Sequence, residues 1–132
     1  AMLQRAKDRA AQEGYTVDLR LMDAQHLDFP DGSFDTVVST FVFCSVPDAI
    51  RGLQEVRRVT KPGGQILLLE HTRSPNPAIG RVMDWLNPLV VRVMGANINR
   101  RTVENARAAG LTIVRIEDLA LGGIVKLIEA TP

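Results

Sequence analysis

The sequence predicts an α/β fold, because segments of helical period and segments of strand period alternate along it with no repeat and no low-complexity linker. Two further observations set the order. Lys61-Pro62-Gly63-Gly64 separates an amphipathic helix from a continuous apolar run, and two strand-like runs near the end flank Gly122-Gly123. With 132 residues, 45% hydrophobic and 23% charged, the chain suits one domain with a small core.

From Met2 to Glu13, Leu3, Ala6, Ala10 and Ala11 fall at helical spacing, and Gly14 supplies a left-handed stop. Val17, Leu19 and Leu21 then alternate with Asp18, Arg20 and Met22, which predicts a short strand ending at Asp23. Asp28 to Ser33 is turn chemistry, with Pro30 at a fixed backbone angle and Gly32 free to take positive φ. Thr36 to Ser39 is a β-branched run suited to a buried strand. Asp48 is placed to cap the next helix, whose inner stripe reads Ile50, Leu53, Val56 and Val59. After the Pro-Gly-Gly break, Gln65 to Glu70 reads as an apolar strand.

Beyond Glu70 the pattern loosens. Apolar residues at 79, 82, 83, 86, 89, 90, 93 and 94 form a helical stripe from Ile79 to Met94, which Pro88 should kink or divide. Thr102 to Ala109 reads as a second helix with Arg101 and Arg107 outside and Gly110 as its stop. Leu111 to Asp118 and Ile124 to Ala130 read as two strands closing in a hairpin, its connection lengthened by Leu119 to Leu121.

Charge and composition narrow the classes. A net charge of +1 with interleaved signs leaves no sustained positive stripe, so nucleic-acid binding is not expected. The densest basic group, Arg57, Arg58 and Lys61, closes a helix at its partly negative end. One cysteine excludes an internal disulfide and suits a reducing cytoplasm. No signal peptide is visible, no apolar run approaches the roughly 20 residues of a membrane span, and no spacing of His, Cys, Asp and Glu fits a metal site. Ala1 before Met2 reads either as a scar ahead of a native start or as an internal cut.

Six pieces of the chain carry a family resemblance. Asp23-Ala24, the segment FPDGSFD from Phe29, LQEVRRVTKPGG from Leu53 and LLLEH from Leu67 resemble class I S-adenosylmethionine-dependent methyltransferases of the ubiquinone and menaquinone type. FVFCSVPD from Phe41 and INRRTVENARAAGL from Ile98 are similar to the methyltransferase-like group that includes thiol and phospholipid N-methyltransferases. The resemblance implies a truncated Rossmann-like methyltransferase sheet of about five strands with flanking helices, made mixed by the C-terminal antiparallel hairpin, in a single partial domain over residues 1–132. The family's glycine-rich turn and the acid ending its second strand have no counterpart, since Gly14 is the only glycine before Val17.

Family sheet order is 3-2-1-4-5-7-6, which makes Val17–Met22 the third strand and Thr36–Ser39 the fourth. The two strands between them would leave a gap of roughly 14 Å at about 4.8 Å per spacing. An apolar edge on Thr36–Ser39 invites pairing. Either the 17–22 strand slides across, a second copy fills the gap, or another chain completes the sheet; a homodimer is the expectation.

Roles implied by the resemblance begin with the cofactor, S-adenosylmethionine. Asp23 matches the acid that accepts from the adenine amino group, Ala24 the residue whose backbone N–H meets an adenine nitrogen, and Thr40 a position beside the methionine part, with Ser39 and Phe41 shaping the same crevice. Asp23 also reads as a turn or cap acid. Methyl transfer from a sulfonium needs alignment, exclusion of water and removal of any proton, so no triad is required. On the substrate side stand Cys44, His71 and Trp85. His71 is the candidate general base, or else a histidine paired with Glu70 or a loop carbonyl. Cys44 reads as a packing residue more readily than a nucleophile, His26 as a solvated loop residue, and Glu70 as structural. The stripe bearing Met83 and Trp85 reads as a helix packed on the sheet, as an apolar substrate lining, or as a membrane-surface element; its lack of a basic cluster favours packing. Two functions follow: methyl transfer to a small-molecule or lipid acceptor, or a non-catalytic remnant that serves dimerisation or partner binding.

Overall fold

A computed structural model describes residues 2–132. Helix α1 (Met2–Glu13) leads through Gly14, at φ 71°, into an extended stretch that forms no strand, although alternation predicts one over Val17–Met22. The reason is physical. A strand needs a neighbour for its N–H and C=O groups, and among the described residues no strand pairs with this stretch. Val17 is 52% and Leu21 88% exposed, and Arg20 instead pairs with Asp18 and stacks 5.0 Å over the Phe29 ring. The strand therefore does not slide across to the sheet.

Among the described residues the sheet has four strands rather than about five: β1 (Phe34–Thr40), β2 (Thr60–His71), β3 (Thr112–Ala120) and β4 (Val125–Thr131), in the order β1-β2-β4-β3. This is the 4-5-7-6 half of the expected order. β1 runs parallel to β2, as a strand connected through a helix must, and β4 is antiparallel to both β2 and β3, as the hairpin reading requires. Gly122 and Gly123, at φ 61° and 85°, make the turn. Lys61 to Gly64 form a bulge inside β2, with pairing jumping from Phe34↔Thr60 to Thr36↔Gln65. Gly64 is obligatory there because a Cβ would lie 2.7 Å from the Asp35 carbonyl oxygen.

Helix α2 (Ala49–Val59) starts at Asp48, whose carboxylate accepts from the Arg51 N–H; it buries Leu53 and Val56 in one cluster with Ile66, Leu68 and Ile128, and Val59 is buried as well. Ile50, read as part of that inner stripe, is 36% exposed; the buried face is rotated to Ala49, Gly52 and Glu55. Helix α4 (Thr102–Ala108) covers the same sheet face with Ala106, and Gly110 at φ 86° ends it. Helix α3 (Pro77–Met94) runs through Pro88 undivided and buries only Gly80 and Met83. Ile79, Val82, Leu89 and Val93 are exposed, so α3 does not pack broadly on the sheet. β1 pairs on one side only, and Val38 on it is 65% exposed. Among the described residues no helix is long and apolar enough to cross a membrane.

Candidate functional site

The carboxyl ends of β1 and β2 lie side by side because the strands are parallel, with Thr40 opposite Leu69. That register puts Ser39, Thr40 and Phe41 beside Glu70 and His71. One buried carboxylate organises the group. Glu70, fully buried, accepts through Oε1 from the Ser39 hydroxyl at 2.9 Å and from the N–H groups of Val42 and Phe43 at 3.1 and 3.4 Å. Its Oε2 is buried with no partner, and desolvation raises its carboxyl above the ordinary range against the pull of these three donors. These bonds hold the loop in which Phe41 takes φ 53°, a left-handed conformation that a bulky residue adopts only under constraint. Phe41 stays 47% exposed.

His71 does not pair with Glu70. It is half-buried, among the described residues it has no side-chain hydrogen-bond partner, and burial lowers its pKa below the ordinary histidine value, which favours the neutral imidazole. Successive side chains in a strand alternate faces, so His71 lies on the sheet face opposite Glu70, together with Leu69. Thr40 is exposed, whereas the Ser39 hydroxyl is already engaged with Glu70. Cys44 donates to the Phe41 carbonyl at 3.4 Å; burial, with Glu70 nearby, pushes its thiol up, away from thiolate chemistry.

Asp23 and Ala24 sit in a tight turn rather than at a strand end. The Asp23 carboxylate accepts from the Gln25 N–H at 2.9 Å, and the Gln25 amide also reaches it, which holds its carboxyl below the usual range. Gln25 Oε1 in turn accepts from the Asp48 N–H at 3.0 Å, which ties the turn to the start of α2. Ala24 is half-buried against the core, its carbonyl over Gly52. The following loop is clasped by Glu55 and Arg58: Leu27 N–H donates to Glu55 at 2.9 Å, while Arg58 donates to the Leu27 and Phe29 carbonyls and to Asp31. Paired with Arg58, Glu55 falls to a pKa of about 2.

Trp85 is 79% exposed on α3 and meets none of these residues. The helix is nevertheless tied to the Cys44 loop, because Asn97 donates to the Cys44 carbonyl and Asn87 accepts from the Ile98 N–H. Sequence reasoning gave Glu70 as structural without its partners and did not find the Asn87–Asn97 tether. The first had a signal, an acid ending an otherwise apolar strand; the second had none.

The model of the methyltransferase domain matches residues 1–68. The chain belongs to the S-adenosylmethionine-dependent methyltransferase family. Within this class I family it is of the UbiE type. The phosphatidylethanolamine N-methyltransferase of Cereibacter sphaeroides is 42% identical over 53% of this chain and 36% of its own length. The ubiquinone/menaquinone biosynthesis C-methyltransferase UbiE of Hydrogenovibrio crunogenus is 32% identical over 72% of this chain and 38% of its own. A solved S-adenosylmethionine-dependent methyltransferase of Thermotoga maritima shares the fold, with a TM-score of 0.66 and 22% identity over 96% of this chain and 69% of that one. The chain thus spans less than two fifths of the two curated relatives. What it holds fits the adenine end of the family cofactor: Asp23 is an exposed, ionised acceptor, and the small Ala24 leaves its backbone approachable.

Proposed function

We propose that this methyltransferase-family chain takes part in methyl transfer from S-adenosylmethionine to a small-molecule or lipid acceptor. The reading rests on one observation: Thr40, Phe41 and His71 come together at the carboxyl ends of adjacent parallel strands, where open α/β sheets bind ligands. The Asp23–Ala24 turn, fastened to α2, faces adenine in this reading, Thr40 and Phe41 border the methionine part, and the neutral His71 imidazole takes a proton from the acceptor. Bound cofactor supplies the electrophilic methyl group. Acceptors to be screened are thiols, quinone precursors and phospholipid amines, the last two after the relatives named above.

Titration calorimetry of the chain with S-adenosylmethionine and S-adenosylhomocysteine tests the reading, with saturable heat in the micromolar range expected and its weakening in Asp23→Ala. No heat at millimolar ligand would overturn binding by this chain alone. A second reading, a dimerisation or partner-binding module, is supported by the free edge of β1 with Val38 exposed on it. It commits to a second copy paired edge to edge, with cytoplasmic residence. A monomeric mass in light scattering at high concentration would count against it.

A further inference from the structure

Glu70 has no exposed surface, in a strand whose inward neighbours Ile66 and Leu68 belong to the core. Burying a carboxyl group there costs hydration that an apolar side chain of similar size does not lose. Packing therefore does not explain it. Among the described residues its partners are three donors and no cation, and all three meet a single oxygen, Oε1, while Oε2 takes none.

Two of the three donors are the successive backbone N–H groups of Val42 and Phe43, which follow Phe41 in its left-handed conformation. Consecutive N–H groups turned to one side after such a residue make a concavity for an anion, and the chain fills it with its own carboxylate. The loop has other anchors. The buried Phe43 ring packs over Gly52, and the Ser45 N–H donates to the Val42 carbonyl at 3.0 Å, which orients the peptide between Val42 and Phe43. The peptide before it, between Phe41 and Val42, has only a weak thiol donor on its carbonyl, Cys44 at 3.4 Å. Its plane is set by the bond from the Val42 N–H to Glu70. That peptide is the one on which the left-handed conformation of Phe41 depends, a conformation that a bulky residue keeps only when its surroundings impose it.

We infer that Glu70 is a positioning residue for the methionine side of the cofactor crevice: sealed beneath the loop, it fixes the backbone at Phe41 and with it the direction of the exposed Phe41 ring. The inference rests on the methyl-transfer reading above. Thr40 needs no such help, because the sheet ladder already runs through the Phe41 N–H to the Leu69 carbonyl at 2.9 Å, so what Glu70 adds begins at Phe41. The adenine side is independent of it as well, since the Asp23–Ala24 turn is held by Gln25 and tied through Gln25 to Asp48. Loss of the Glu70 carboxylate should therefore separate the two ends of the cofactor, weakening the hold on the methionine part and sparing the adenosine part.

The test compares the parent chain with Glu70→Leu, which fills the space without an acceptor, and Glu70→Gln, which restores one. Each is titrated, by amide-resonance NMR at neutral pH, with S-adenosylhomocysteine and with adenosine, which lacks the methionine part. Glu70→Leu should bind S-adenosylhomocysteine about tenfold or more weakly, and Glu70→Gln should recover most of that loss. Adenosine affinity, read at residues 23–25, should stay as in the parent. A loss shared equally by both ligands marks a weakening of the whole fold and, like no loss at all, overturns the positioning role. Hydrogen exchange of the ligand-free parent gives a readout that needs neither ligand nor variant: the Val42 and Phe43 amides should exchange slowly although they lie in a loop, and fast exchange there overturns the proposal even if Glu70→Leu does not fold. The two readings fail separately. Protected loop amides in a parent chain that binds neither ligand overturn the methyl-transfer reading and reduce Glu70 to a structural clasp, whereas binding of S-adenosylhomocysteine with equal affinity in all three chains overturns the positioning role alone.

Discussion

Replacing Glu55 by glutamine should expose how the loop leading from the Asp23–Ala24 turn to β1 is held. Glu55 is 5% exposed, accepts from the Leu27 N–H and binds Arg58 through both oxygens. Its carboxyl falls from 4.5 to about 2, with the Arg58 hydrogen bond as the largest cause. A shift of that size corresponds to about 3 kcal/mol of differential interaction, which solvent around the partly exposed Arg58 and its other acceptors reduces to about 2. The amide keeps the shape and an acceptor for Leu27, so the loss is mainly that of the charge. Because the folded pKa is depressed, this stability is present above about pH 4.5 and is lost as pH falls toward 2. At pH 7 the variant should melt about 7 °C lower than the parent, on the usual entropy per residue for a chain of this size. By pH 2 the gap should close. Equal melting at pH 7, or a gap that persists unchanged to pH 2, would refute the clasp.

Glu70→Gln behaves in the opposite sense: burial raises the folded pKa of this acid, so its contribution is greatest at low pH and is lost as pH rises through that value. The variant, which cannot ionise, should gain on the parent in urea midpoint from pH 4 to pH 8, and a flat difference would sink the assignment. Gly52→Ala places a Cβ 2.9 Å from the Phe43 ring and 3.4 Å from the Ala24 carbonyl oxygen, so it should cost about 1–3 kcal/mol and weaken cofactor binding by shifting the turn, while exposed Gln54→Ala leaves both unchanged. If His71 removes the acceptor's proton, His71→Asn should lower kcat with KM little changed and abolish the acidic limb of the pH–rate profile, which burial places below the ordinary histidine range. An acidic limb retained in that variant assigns the titration to another group.

Local signals carried most of the fold. Alternation of period, Asp48 as a cap and Gly110 as a stop placed α1, α2, α4 and the closing hairpin, because each depends on contacts within a few residues. Val17–Met22 was misread for the converse reason: its alternation is that of a strand, but a strand exists only where a neighbour accepts its hydrogen bonds. Ile50 fell outside the core because the packing of Gly52 and Ala49 against the Phe43 loop rotates α2 by part of a turn, a tertiary choice that periodicity does not contain. At the site, residue types were legible and orientations were not. Ser39 and Thr40 are adjacent in sequence, yet one faces Glu70 and the other faces out.

The strand order has a kinetic consequence. β4 lies between β2 and β3, so the sheet cannot close until the chain has been made as far as Thr131. Translation at about 5–20 residues per second leaves on the order of 5 to 20 s between the emergence of β1 and that of β4. Throughout that interval β2 presents an unpaired edge of Ile66, Leu67, Leu68 and Leu69 to whatever else is nearby. A nascent chain of this kind is a natural client for a holding chaperone, and slowing its synthesis should lower the soluble yield rather than raise it.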